Sequence, residues 1–128
     1  MNADIISDAI AQIRTMIGEG LISTGMTGPE GLVIVGYNYD EGSSGFSIML
    51  TNFVRNALTT SGFAPLGRFH MGRLANNALG IIFVEHDYCW SMTLDLNKVN
   101  LGIIMNIVVP RALKAMDVAT EQVTPRVA

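Results

Sequence analysis

Two stretches of the chain carry side chains able to do chemistry. The first is "RFHMGR", residues 68–73, where His70 stands between Arg68 and Arg73. In a strand, alternation sets Arg68, His70 and Gly72 on one face and Phe69, Met71 and Arg73 on the other. Guanidinium groups beside an imidazole suit an anion or an acidic patch, because Arg forms charge-assisted bonds to carboxylates. The same charges on an edge strand also discourage unwanted pairing. Arg68, His70 and Arg73 are therefore candidates for contact with a partner. The second stretch holds Glu85, His86, Asp87 and Cys89. A metal would need these groups to converge, and neighbours along a strand point to opposite faces, so no metal site is expected.

Other chemistry finds no footing. The single Cys89 rules out an intrachain disulfide and a multi-cysteine zinc site. No nucleophile elbow, phosphate loop or HExxH pattern occurs. "GMTGPEG" is rich in glycine, but it reads as a hairpin turn rather than the strand-to-helix turn that cradles phosphate. The eight methionines suit adaptable packing surfaces. The reading is of a protein that is not an enzyme, with no catalytic residue, no metal and no cofactor.

Composition points to association. The 128 residues fit one domain, yet 49% are hydrophobic and 15% charged, against about 25% charged in ordinary domains. So little charge leaves apolar surface to be covered by a second copy or another protein. A net charge of −3 gives no electrostatic footprint for nucleic acid. The uncharged run between Lys98 and Arg111 contains Pro110 and falls short of the roughly 20 residues a membrane span needs. The acidic start "MNADIISDAI" lacks the basic region of a signal peptide, which predicts a soluble, cytoplasmic protein.

The elements follow from periodicity. Ile6, Ala9, Ile10, Ile13, Met16 and Ile17 recur at helical spacing, with Asp4 as the expected cap. "LISTGMT" and "LVIVGYN" read as strands joined by "GPEG". A second helix carries the stripe Phe46, Met49, Leu50, Phe53, Val54, Ala57 and Leu58, with Ser43 or Ser44 as cap and Gly62 as left-handed terminator. Its other face, Ile48, Thr51, Asn52, Arg55, Asn56 and Thr59, bears one charge where a solvated helix normally shows several. That is either a neutral surface or an interface, since unpaired charges are costly to desolvate. Three strands follow, "LGRFHMGRLA", "ALGIIFVE" and "YCWSMTLDL", turned at "NN" and "HD". Asn100 caps a last helix in which Pro110 removes the hydrogen bond to Asn106 and predicts a kink. The order is α-β-β-α-β-β-β-α, with residues 1–117 as one α/β/α domain and 118–128 as a flexible tail.

This order, the hairpin after the first helix and "NLGIIMNIV" opening the last helix resemble the Roadblock/dynein-light-chain family over residues 4 to 117. Here "GPEG" stands where that family often has an Asp-Gly turn. The resemblance implies an α+β fold: a five-stranded antiparallel sheet with the first and last helices on one face and the middle helix on the other. Leu101, Ile104, Met105 and Val108 would then lie on the sheet, with Ile103 and Ile107 turned to the first helix or a partner. It further implies a homodimer through residues 45–61 and 66–75. The seam would hold Ile48, Asn52, Arg55, Asn56, Thr59, Phe69 and Met71. The implied partner is a small Ras-like GTPase that the dimer scaffolds or regulates. Two other readings stand beside it. One is a small-molecule sensor with Phe83, Tyr88 and Trp90 lining a pocket. The other is a subunit of a larger motor or trafficking scaffold.

Overall fold

The structure, a computed structural model, describes residues 1–121. Helix α1 (Ala3–Ile17) opens the chain, and a 3-10 turn at Gly18–Gly20 leads into β1 (Leu21–Thr27) and β2 (Val33–Tyr37). Helix α2 (Glu41–Thr60) follows, then β3 (Phe69–Leu74), β4 (Ala78–Glu85) and β5 (Tyr88–Asp95). The last helical stretch has three parts: α3 (Leu101–Ile103), a π-turn (Ile104–Val108) and α4 (Val109–Glu121). The strands form one antiparallel sheet in the order β2-β1-β5-β4-β3. The expected α+β architecture is therefore present. The expected domain limit at residue 117 falls inside α4, and the rest of the proposed tail, 122–128, lies outside the described residues.

Alternation along the strands divides the sheet into two faces. Ile81, Phe83, Trp90, Met92 and Leu94 turn toward α1 and α4 and pack with Ile6, Ile13, Ile104, Val108 and Met116. Ile82, Val84 and Cys89 turn the other way, toward α2, and make a much smaller cluster. Most of the apolar burial thus lies on one face. Phe83 and Trp90 sit at its centre, fully buried with ring centroids 5.8 Å apart. The Trp90 indole N–H donates to Thr24 Oγ1 at 2.8 Å. These aromatics fill the core rather than line a pocket.

Caps and turns depart from expectation in detail. Asn2, not Asp4, caps α1 by accepting from the Asp4 N–H. Asp40, not Ser43 or Ser44, caps α2 by accepting from the Ser43 N–H at 2.8 Å. That bond also holds the Asp40 carboxyl below its ordinary pKa. Asn100 does cap the last helix, accepting from Ile103 N–H at 2.8 Å. Asn76, Asn77 and His86 take positive φ in the two hairpin turns, a conformation that Asn and His tolerate better than most residues.

Pro110 is absorbed rather than simply kinking the helix. The Val109 N–H that an α-turn would give to Met105 goes instead to Ile104. A π-turn would ask the next N–H to serve Met105, and Pro110 has none. The widened turn lets α4 restart beyond the proline while Ile104 and Val108 stay fully buried. Leu101, expected on the sheet, is 48% exposed, and Ile103 and Ile107 are exposed as well.

Candidate functional site

Helix α2 meets the sheet through hydroxyl groups. Ser44 Oγ lies 2.7 Å from Thr27 Oγ1 and donates to the Gly31 carbonyl at 3.1 Å. Ser47 Oγ lies 3.2 Å from the Tyr39 hydroxyl, which accepts from Ser91 Oγ at 2.9 Å. Thr51 Oγ1 and His70 Nε2 are 3.0 Å apart. Ser44, Ser47 and Thr51 are the buried residues of α2. Burying hydroxyls is tolerable because each has a partner.

Part of the apolar stripe of α2 consequently points outward, while Leu50 packs beside the Ile82, Val84 and Cys89 cluster. Phe46, Met49 and Phe53 are 56%, 65% and 70% exposed. The cause lies in the sheet, whose α2 face presents Ser23, Gly25, Thr27, Ser91 and Thr93 on β1 and β5, with the large apolar Ile82 and Val84 confined to β4. A helix must answer such a face with small hydrogen-bonding groups. The signal was present in the sequence as polar residues at every second position of β1 and β5, matched by Ser44, Ser47 and Thr51 at helical spacing.

The helix leaves β1 at Ser44 and reaches the edge strand β3 at Thr51, and no residue of α2 after Thr51 is buried. Residues 52–60 amount to about 13 Å of helix, in which only Val54, Arg55 and Leu58 are half-buried. Beside α2, the sheet face opens as a groove of about 650 Å³ between Phe46, Leu50 and Val54 on one side and Leu74 on the other. Its floor includes Gly72 and Gly80, and a Cβ at Gly72 would meet nothing within 4 Å.

β3 itself is an edge. Val84 N–H donates to the Arg68 carbonyl at 2.8 Å. By antiparallel alternation the main-chain groups of Phe69, Met71 and Arg73 then point away from β4. Met71 is exposed, whereas Phe69 is half-buried and packs on Phe83 at 5.8 Å between ring centroids.

The other expected contact residues scatter. Ile48 packs on the Ile82, Val84 and Cys89 cluster. Asn52, Asn56 and Thr59 are exposed, and Arg55 is half-buried. Arg68 is held by its own chain, 2.6 Å from Asp117 and 3.1 Å from Glu85, and these carboxylates raise its pKa. Arg73 donates to Asn77 Oδ1 at 2.8 Å on the opposite sheet face from His70. Arg68, His70 and Arg73 do not assemble into one anion site. His86 lies 3.6 Å from Glu85 Oε1 with its side chain exposed, while Cys89 is buried under α2, where burial pushes the thiol pKa up. Among the described residues no group of three His, Cys, Asp or Glu could hold a metal.

His70 predicts a pH dependence. Burial, and then the charge of Arg55, lower its pKa below 6.5. Folding therefore favours the neutral ring, and the unfolded chain binds the proton more readily. Stability should be unaffected above about pH 6.5 and fall as pH drops through the window between the unfolded and folded values. Thermal melts of wild type and His70→Gln from pH 7.5 to pH 5 would show it: the wild type should lose more on acidification than the variant, and parallel curves would remove His70 as the cause.

No protein-family model and no curated protein matches the sequence. Among solved structures the chain is similar to a Roadblock/LC7 domain from Streptomyces avermitilis, with 14% identity and a TM-score of 0.64 over 82% of this chain and 88% of that one. It is also similar to MglB from Myxococcus xanthus, with 10% identity and a TM-score of 0.68 over 98% of this chain and 88% of that one. The fold is that of the Roadblock domains. Among the described residues no helix is long and apolar enough to cross a membrane.

Proposed function

We infer that the chain is a homodimeric Roadblock-type adaptor, without catalysis of its own, whose dimer docks and regulates a small Ras-like GTPase. The observation that supports dimerisation most directly is the exposed apolar side of α2, Phe46, Met49 and Phe53, beside an open groove and the edge strand β3. Antiparallel pairing of β3 with its own copy about a two-fold axis would bring the two α2 helices side by side over the joined sheet. Phe46, Leu50 and Phe53 of each copy then line the side on which the two helices meet, above the Gly72 and Gly80 floors, and Asn52 and Asn56 flank the seam. This revises the expected interface: the outward apolar stripe and the Met71 edge form its centre, and Ile48 stays with its own core. Support for the GTPase comes from the Roadblock likeness, and the dimer would act by binding one nucleotide state better than the other.

Sedimentation equilibrium tests the first part, with a dimer expected at micromolar concentration and a monomer of 13.8 kDa as the refuting result. Ras-like GTPases from the source cell, loaded with GDP or a non-hydrolysable GTP analogue, test the second. Binding to one state is expected, and a dimer that binds neither would leave a scaffold without a GTPase.

A further inference from the structure

The side of the molecule away from α2 carries a second apolar groove that the dimer reading does not use. α1 and α4 lie antiparallel, pinned by Asn2 N–H to the Ala119 carbonyl at 2.9 Å and by Arg111 to Gln12 Oε1 at 2.8 Å. Between them runs a valley of about 730 Å³. Ala9 and Ala115 line it, and their small side chains keep it deep. Ile5 and Val118 wall one end, and Ile107 and Pro110 wall the other. Ile107 and Val118 are 43% and 40% exposed, large apolar side chains with nothing over them among the described residues.

Length and charge define what would fit. From Ile107 to Val118 the valley runs about 16 Å, or three helical turns. A strand or loop laid there would bring unpaired main-chain groups to an apolar floor, whereas a helix satisfies its own. The lips are charged, with Lys114 and Arg111 on α4 and Asp8 on α1. Lys114 and Asp8 have no ion-pair partner among the described residues. The groove is thus net positive on a chain of net charge −3.

We propose that the valley between α1 and α4 is a docking site for an amphipathic helix of another protein, one whose apolar ridge is flanked by acidic residues in its middle turns. Its ridge packs between Ile107 and Val118 over the two alanines, and its carboxylates meet Lys114 and Arg111. The floor supplies burial, and the charges select the partner and steer its approach. The site lies on the opposite sheet face from α2, so it stays open whether or not the chain dimerises.

The test uses two acetylated and amidated 16-residue helical peptides with the same leucine ridge, one flanked by Glu and one by Lys. Titrated into the isotope-labelled full chain, the Glu peptide should give saturable NMR shifts centred on Ala9, Ile107, Ala115 and Val118. It should bind about tenfold tighter than the Lys peptide, in keeping with roughly 1.4 kcal/mol per tenfold. The surface variant Arg111→Glu/Lys114→Glu should reverse that preference. Absence of saturable shifts, equal affinity for the two peptides, or shifts centred on α2 would each overturn the proposal. So would a change in the chain's sedimentation on Ile107→Asp, which would make the valley a contact between copies.

Discussion

Phe53→Asp is expected to turn the dimer into a monomer while leaving the fold intact. In the single chain Phe53 is 70% exposed, and replacing an exposed side chain normally alters stability by less than about 0.5 kcal/mol. In the proposed dimer the same ring is buried in the seam between the two α2 helices, above the partner's Gly72 and Gly80 floor. Losing a buried Phe forfeits about 1.5–3 kcal/mol, and each dimer loses two. Two desolvated carboxylates add to the penalty. Association should weaken by at least about a hundredfold, read by sedimentation equilibrium beside a melt followed by circular dichroism. Asn52→Asp, at the flank, should weaken it far less. Gly72→Val gives the complementary check: the open space above Gly72 accepts the side chain in the monomer, whereas in the proposed dimer it intrudes beneath the partner's α2. Unchanged association in both Phe53→Asp and Gly72→Val would mean that the open groove is not the seam.

The contrast between the two sheet faces explains what could be read in advance. The element order, the alternation in "RFHMGR" and the Asn100 cap were legible because each depends on residues within a few positions of one another. The direction in which α2 turns its stripe was not. An amphipathic helix shows which side is apolar, and whether that side meets its own core depends on the surface opposite, here Gly25, Thr27 and Ser91, far away in the sequence. A stripe such as Phe46, Met49 and Phe53 reads identically in a core and in an interface. Arg68 illustrates the same limit: its neighbours in sequence pointed to a partner's anion, whereas the fold brings Asp117 to 2.6 Å. Pro110 was legible as a defect, but its accommodation as a π-turn depended on the burial of Ile104 and Val108.

The second large effect is expected at Gly25, in the centre of the sheet, where the ring of Tyr39 lies on the bare backbone. A Cβ at this position would overlap the ring, so Gly25→Ala must drive Tyr39 away. The displaced hydroxyl gives up both Ser91 and Ser47, each bond worth about 1 kcal/mol, and the ring gives up its packing. Ser47 would then be a buried hydroxyl bonded only within α2, to the Ser43 carbonyl at 3.0 Å, and the start of α2 would lose its hold on the sheet. The total should be about 2–3 kcal/mol, within the range for overpacking a close contact. For a domain of this size that lowers the melting temperature by roughly 10 °C. Tyr39→Phe, which removes the hydroxyl and keeps the ring, should lose about half as much. The decisive measurement is the double variant. With Tyr39→Ala already in place the ring that supplies the three nearest contacts to a Cβ at position 25 is absent, so Gly25→Ala should then cost far less. Such strong coupling is expected only between residues in direct contact. Additive losses would show that Gly25 is required for some reason other than the tyrosine that latches α2 to the sheet.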